Sequence, residues 1–274
     1  MLDAAAFASK LLLYAAALGG AGVALHRAIG IVSTRRLFLW LGIALAAATL
    51  IRLLIVNAQM GGSLSAAFAP DQFSWTWIGV GRQTTALLAG AALLFVSAFL
   101  QIRSIAIVAP IAIAGGFGLA GHSAGLAAPG VAPFAVMLHA LIAAFWFVAP
   151  FTLWPRAGDA DAATLHRTRM FSRFAVFLVP LLFLSGVWLL WRIGGGIDGV
   201  VGSLYGRLLL GKLALAMAVL GLGALNMTIV TRKLAIAPPS GLKALRTTLR
   251  IDAVLFFGVL LLIASATTFT GPNE

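Results

Sequence analysis

Few side chains in this chain can do chemistry, and most that can are imidazoles and thioethers. There are four histidines, six methionines and no cysteine. Disulfides, thiolate metal sites, iron–sulfur clusters and cysteine nucleophiles are therefore excluded together. Any metal must be held by His, Met or carboxylate. Neutral imidazole suits copper, zinc and haem iron, and thioether sulfur favours Cu(I). His122 and His139 are close in sequence across the short stretch Ala124 to Val131, so helices running in opposite directions bring them to similar depth. Two imidazoles on antiparallel neighbours can bind a metal between helices. Alternatively, each histidine hydrogen-bonds a serine or a carbonyl across a helix contact, with Ser123 a convenient partner for His122. Met217 completes a descending series of candidate ligands. Met137 stands two residues from His139, about 200° around a helix, and does not share a site with it.

Three cations, Arg52, Arg82 and Lys212, fall near the depth of the histidine pair, with no acid at that level in the same spans. They fit an anionic ligand such as the propionates of haem b, or they snorkel to the headgroups. Asp252 is the one acid well inside an apolar run, where it pairs with Arg250 or Arg246 or accepts a metal. Gly79-x-Gly81 lacks the rest of a dinucleotide fingerprint. Gly194-Gly195-Gly196 reads as a loop. No Ser/His/Asp or paired-carboxylate constellation emerges, and the expectation is a protein that is not an enzyme.

The elements that position these residues are membrane helices. Of the 274 residues 62% are hydrophobic and 9% charged, with a mean hydropathy of +1.06. Soluble domains carry about 25% charged residues. The net charge of +12 would suit nucleic acid in a polar chain, but here the basic residues orient helices, and no nucleic-acid partner is expected. A span needs about 20 apolar residues, and this template predicts eight, at 4–26, 37–56, 78–100, 104–124, 132–154, 171–192, 207–230 and 250–270. The first reads as a span rather than a cleaved signal, since its apolar run is continuous from Leu11 to Leu25.

Loops after spans 1, 3, 5 and 7 hold most of the Lys and Arg, among them Arg27, Arg103, Arg156 and Arg232. The rest, Lys10, Arg52, Arg82, Arg192, Arg207 and Lys212, lie towards the other side. The positive-inside rule then places those loops in the cytoplasm and both termini outside, which in a bacterial inner membrane means the periplasm. The fold class is all-α, a polytopic membrane protein with one domain over 1–274, divided into a five-helix half, 1–155, and C-terminal helices, 171–274. Stretches Asn57 to Trp77 and Thr231 to Thr248 read as the longest connections, so any mechanism lies within the bundle. His139 falls about 10 Å into span 5 and Met217 about 15 Å into span 7 by helical rise. Span 4 carries Gly121 and Gly125 at the four-residue spacing that lets helices approach closely around His122. His26 and His166 fall at the cytoplasmic edge.

From Arg173 onward the sequence resembles the membrane domain of the copper resistance protein D (CopD) family. Phe171-Ser172-Arg173-Phe174-Ala175 resembles the start of its first core helix, and Ser185-Gly186-Val187 its small-residue turn. The most specific piece is Tyr205-Gly206-Arg207-Leu208-Leu209-Leu210-Gly211-Lys212-Leu213-Ala214-Leu215, followed by Ala224-Leu225-Asn226. The ending Ala266-Thr267-Thr268 with Pro272 also fits. Upstream, Gly121-His122 and His139-Ala-Leu-Ile-Ala-Ala-Phe-Trp146 are similar to the family's Gly-His and His-to-Trp segments. The pattern is departed from at Phe147-Val148, at Asp252 where the family pattern has Glu, and in outer loops poor in His and Met. The resemblance implies an inner-membrane protein of copper uptake or tolerance, working beside a periplasmic copper-binding partner, with copper at His122 and His139.

Overall fold

Hydropathy dictates a bundle of helices, and the chain forms them in an alternating up-and-down order. They are α1 (Leu2–Ala28), α2 (Arg35–Met60), α3 (Phe73–Leu100), α4 (Ile105–Gly118), α5 (Ala132–Phe147), α6 (Asp161–Ile193), α7 (Leu204–Leu225) and α8 (Pro238–Phe269). The computed structural model describes residues 1–270 except 33, 101, 103–104, 122–124, 126–127, 157–160 and 194–199, and no strand occurs among them. Seven helices are long and apolar enough to cross a membrane, counting α5 through Thr152 and α7 through Ile236. The eighth, α4, has 14 residues, or about 21 Å at 1.5 Å per residue, against a hydrocarbon core of about 30 Å.

Small residues put α1 at the centre. Ala17, Gly19, Gly20, Ala21, Gly22 and Ala24 are all buried on it, which lets neighbouring backbones come close. It packs on α2, α4, α5 and α8. Contacts at the two ends show that the helices alternate in direction. Phe7 near the start of α1 stacks on Phe269 at the end of α8, with ring centroids 5.7 Å apart, while His26 near the end of α1 meets Phe145 near the end of α5. One end of the bundle thus gathers Arg27, Arg35, Arg156 and Arg250, and is called the basic end below. The helices α6 and α7 stand at the rim, with only 6% of their apolar windows buried.

Three sequence expectations change. Span 4 was expected to run to 124, but α4 ends at Gly118, and Gly121 has φ +80°, a left-handed turn conformation. Gly121 and Gly125 are therefore not a helix-packing pair. The close approach is made instead at Gly118, whose missing Cβ would meet the Pro133 carbonyl. Second, the stretch Thr231 to Thr248 is helical except at Ala237, because Pro238 sets the φ of a new first turn and α8 begins well before its apolar part. Third, Ser185-Gly186-Val187 lies inside α6 and is not a turn.

The connection at the opposite end is built by one residue. Asn57, 1% exposed, donates from Nδ2 to the carbonyls of Ala66, Ala67 and Ala69 at 2.9–3.1 Å. Its Oδ1 accepts from Thr76 Oγ1 at 2.9 Å. Helix α2 is thereby tied to the 3-10 turn Leu64–Phe68 and to α3. Asn57→Ala should cost about 1–3 kcal/mol and loosen this loop specifically. Limited proteolysis of the folded protein checks it: faster cutting between 61 and 72 is expected, and an unchanged rate would refute the assignment.

Candidate functional site

The His139 imidazole projects from α5 against α6. Its Nδ1 lies 3.0 Å from Ser185 Oγ. Ser185 in turn donates its hydroxyl hydrogen to the Leu182 carbonyl at 3.0 Å. When Ser185 keeps its one hydrogen on the Leu182 carbonyl, Nδ1–H is the donor to Ser185 and the lone pair resides on Nε2. Hydrogen bonding at one ring nitrogen fixes which nitrogen is free to act as a ligand. Gly186 makes the approach possible, since a Cβ there would stand 3.1 Å from His139 Cε1. Sequence reasoning missed Ser185 and Gly186 as partners, although it allowed for a serine across a helix contact. Lys212 on α7 is close enough for its charge to act on the imidazole.

The other candidates are distributed as follows. His122 and Ser123 lie outside the described residues. Met217 is 49% exposed. Five residues past Lys212 on a helix, it points about 140° away from that side chain. Arg52 extends from α2 to Ser9 Oγ at 3.3 Å and Gln59 Oε1 at 3.4 Å. Lys10 beside it donates to the carbonyl of Thr267, capping the last turn of α8. Arg82 is exposed on α3. Of the three cations proposed to meet an anionic ligand, Lys212 alone has a charge that acts on a described histidine.

At the basic end the histidines separate. His166 is exposed. His26 is 0% exposed and has both nitrogens engaged: Nδ1 with Thr152 Oγ1 at 2.8 Å and Nε2 with the Phe145 carbonyl at 2.9 Å. Phe145 and Phe171 meet its ring edge to face. It joins α1 to α5 and has no lone pair to spare for a metal. Among the described residues, no three His, Cys, Asp or Glu side chains converge on one point.

A cavity of about 190 Å³ opens between α5, α6, α7 and α8 in the half of the bundle towards the basic end. Asp252, Asn226, Met227, Ser172 and Trp146 are on its wall. Asp252 does not form the pair with Arg250 that the sequence suggested, because the Arg250 guanidinium lies over the Trp154 ring, 5.5 Å from its centroid.

No curated protein and no solved structure matches the chain. A family model does, and its span begins just inside α6 and ends near the end of α8, so it contains Ser185, Lys212, Asn226 and Asp252. With seven helices able to cross a bilayer, this is a multi-pass membrane protein whose residues 165–266 match the family model of copper resistance protein D (CopD).

Proposed function

We propose that the chain binds copper inside the bundle and moves it across a bacterial inner membrane, serving copper uptake or tolerance. His139 is the ligand through Nε2, and His122, just beyond the end of α4, is its partner. The observation that carries this reading is the chain from His139 to Ser185 to the Leu182 carbonyl. The copper resistance domain there supplies the serine that orients an imidazole contributed from outside it. Lys212 favours Cu(I) over Cu(II), because repulsion scales with the charge of the ion. On the positive-inside rule the basic end is cytoplasmic, His139 lies in the outer leaflet, the spans number eight and both termini are periplasmic. A periplasmic copper-binding protein is the natural partner, and no catalytic step is invoked.

The test is metal analysis with a visible spectrum on purified full-length protein titrated with Cu(I) under reducing, anaerobic conditions. Stoichiometric copper without a Soret band is expected. A preparation that binds no copper, or that carries haem in its place, overturns the reading.

A further inference from the structure

The cavity near the basic end is not used by a site at His139, and its wall is unusual for a membrane interior. Asp252 is 3% exposed, and its Oδ1 is buried with no hydrogen-bond partner among the described residues. An uncompensated carboxylate inside a bilayer is costly and calls for a positive partner. The nearest arginine on its own helix, Arg250, is engaged with Trp154. The volume of about 190 Å³ is far above the ~10–15 Å³ that one water needs, so an ion with part of its hydration fits.

The opposing wall is also distorted in a way that frees polar groups. The α-helical pattern of α7 gives way to a π-helix over Asn226–Val230, a feature that often marks functional sites. Asn226 and Met227, both on the cavity wall, open this segment. The Asn226 carboxamide is fixed by Thr248, which donates to its Oδ1 at 2.6 Å. Across the cavity Pro180 lies inside α6 and withholds the usual N–H donor from the Val176 carbonyl; both residues line the cavity. A carboxylate, a carboxamide and a thioether thus share one cavity between four helices.

From this we infer that the cavity is a second cation site, in which Asp252 supplies the charge and Met227 a soft donor, and that it takes Cu(I). The choice of Cu(I) over other cations rests on the proposed function together with the Met227 sulfur. The site lies on the basic-end side of His139, so it would serve as the inner station for an ion released from the outer one.

Full-length protein in detergent, titrated with Cu(I) against a chromophoric chelator under reducing conditions, separates the two ideas. Wild type should bind two ions. Asp252→Asn, nearly isosteric and neutral, should lose one of them, and His139→Ala the other. Met227→Leu should weaken the Asp252-dependent ion about tenfold or more while keeping most of the side-chain volume. If Asp252→Asn does not fold, Met227→Leu decides: unchanged affinity at both ions overturns the inference. A single ion abolished by His139→Ala and indifferent to Asp252→Asn and Met227→Leu overturns the inner site and leaves the proposed function standing. Absence of any Cu(I) binding in wild type overturns both.

Discussion

His139→Ala is expected to abolish one class of bound Cu(I) outright. The imidazole is anchored at Nδ1 by Ser185, which in the proposed tautomer leaves Nε2 as the ligand nitrogen. Ser185→Ala should act in the same direction but less, about 10–100-fold in affinity, because the ring loses its orienting partner and not its nitrogen. Ser185→Thr keeps a hydroxyl and should recover much of the loss. The His122→Ala/His139→Ala double variant should be no worse than His139→Ala if the two residues share one ion. Copper titration of the purified variants is the measurement. Wild-type stoichiometry and affinity in His139→Ala would remove His139 from the mechanism, and a Ser185→Ala protein with unaltered affinity would show that the serine only packs.

The residues explain why the spans were legible and the site only half so. Continuous apolar runs of 20 or more residues have few other uses, so the positions of seven long helices follow from hydropathy alone. Where the composition is mixed, the same signal fails. The polar, basic stretch from Thr231 to Thr248 reads as a loop, yet Pro238 at a first helical turn and the following Gly241, Leu245 and Leu249 bury one face of a helix that starts well outside the apolar window. Gly121 misleads in the opposite sense. Its spacing from Gly125 suits a packed helix, but a glycine is also the residue that adopts φ +80° and ends one.

His139 could be nominated from its type and depth, whereas its partner Ser185 is 46 residues away and carries no periodic signature. Lys212 shows the converse: flagged as a cation without an acid, it is brought by the fold within electrostatic reach of an imidazole. Asp252 was visible as an acid in a membrane span. That its Oδ1 has no partner among the described residues was not, since the Arg250 guanidinium lies over the Trp154 ring instead, a contact that leaves no pattern in sequence.

His26 carries the largest stability prediction, for the same reason that it is a poor ligand. Replacement by Leu leaves the Phe145 carbonyl without its donor at a buried junction of α1 and α5, while Thr152 keeps its bond to the Val148 carbonyl. It also removes the ring that stands against Phe145 and Phe171. An unsatisfied buried carbonyl costs about 1–3 kcal/mol and each lost edge-to-face ring pair about 0.5–1.5 kcal/mol, partly offset by the favourable burial of Leu, so a net loss of about 2–4 kcal/mol is expected. For a chain of this size that lowers the unfolding midpoint by roughly 10 °C. His26→Gln keeps a donor and an acceptor and should recover part of the loss. Copper stoichiometry in the folded fraction should equal that of wild type, since neither ring nitrogen is available to a metal. Thermal unfolding in detergent, run beside the copper titration, gives both numbers. A His26→Leu protein with an unchanged midpoint and one fewer bound ion would reverse the assignment and make His26 a ligand.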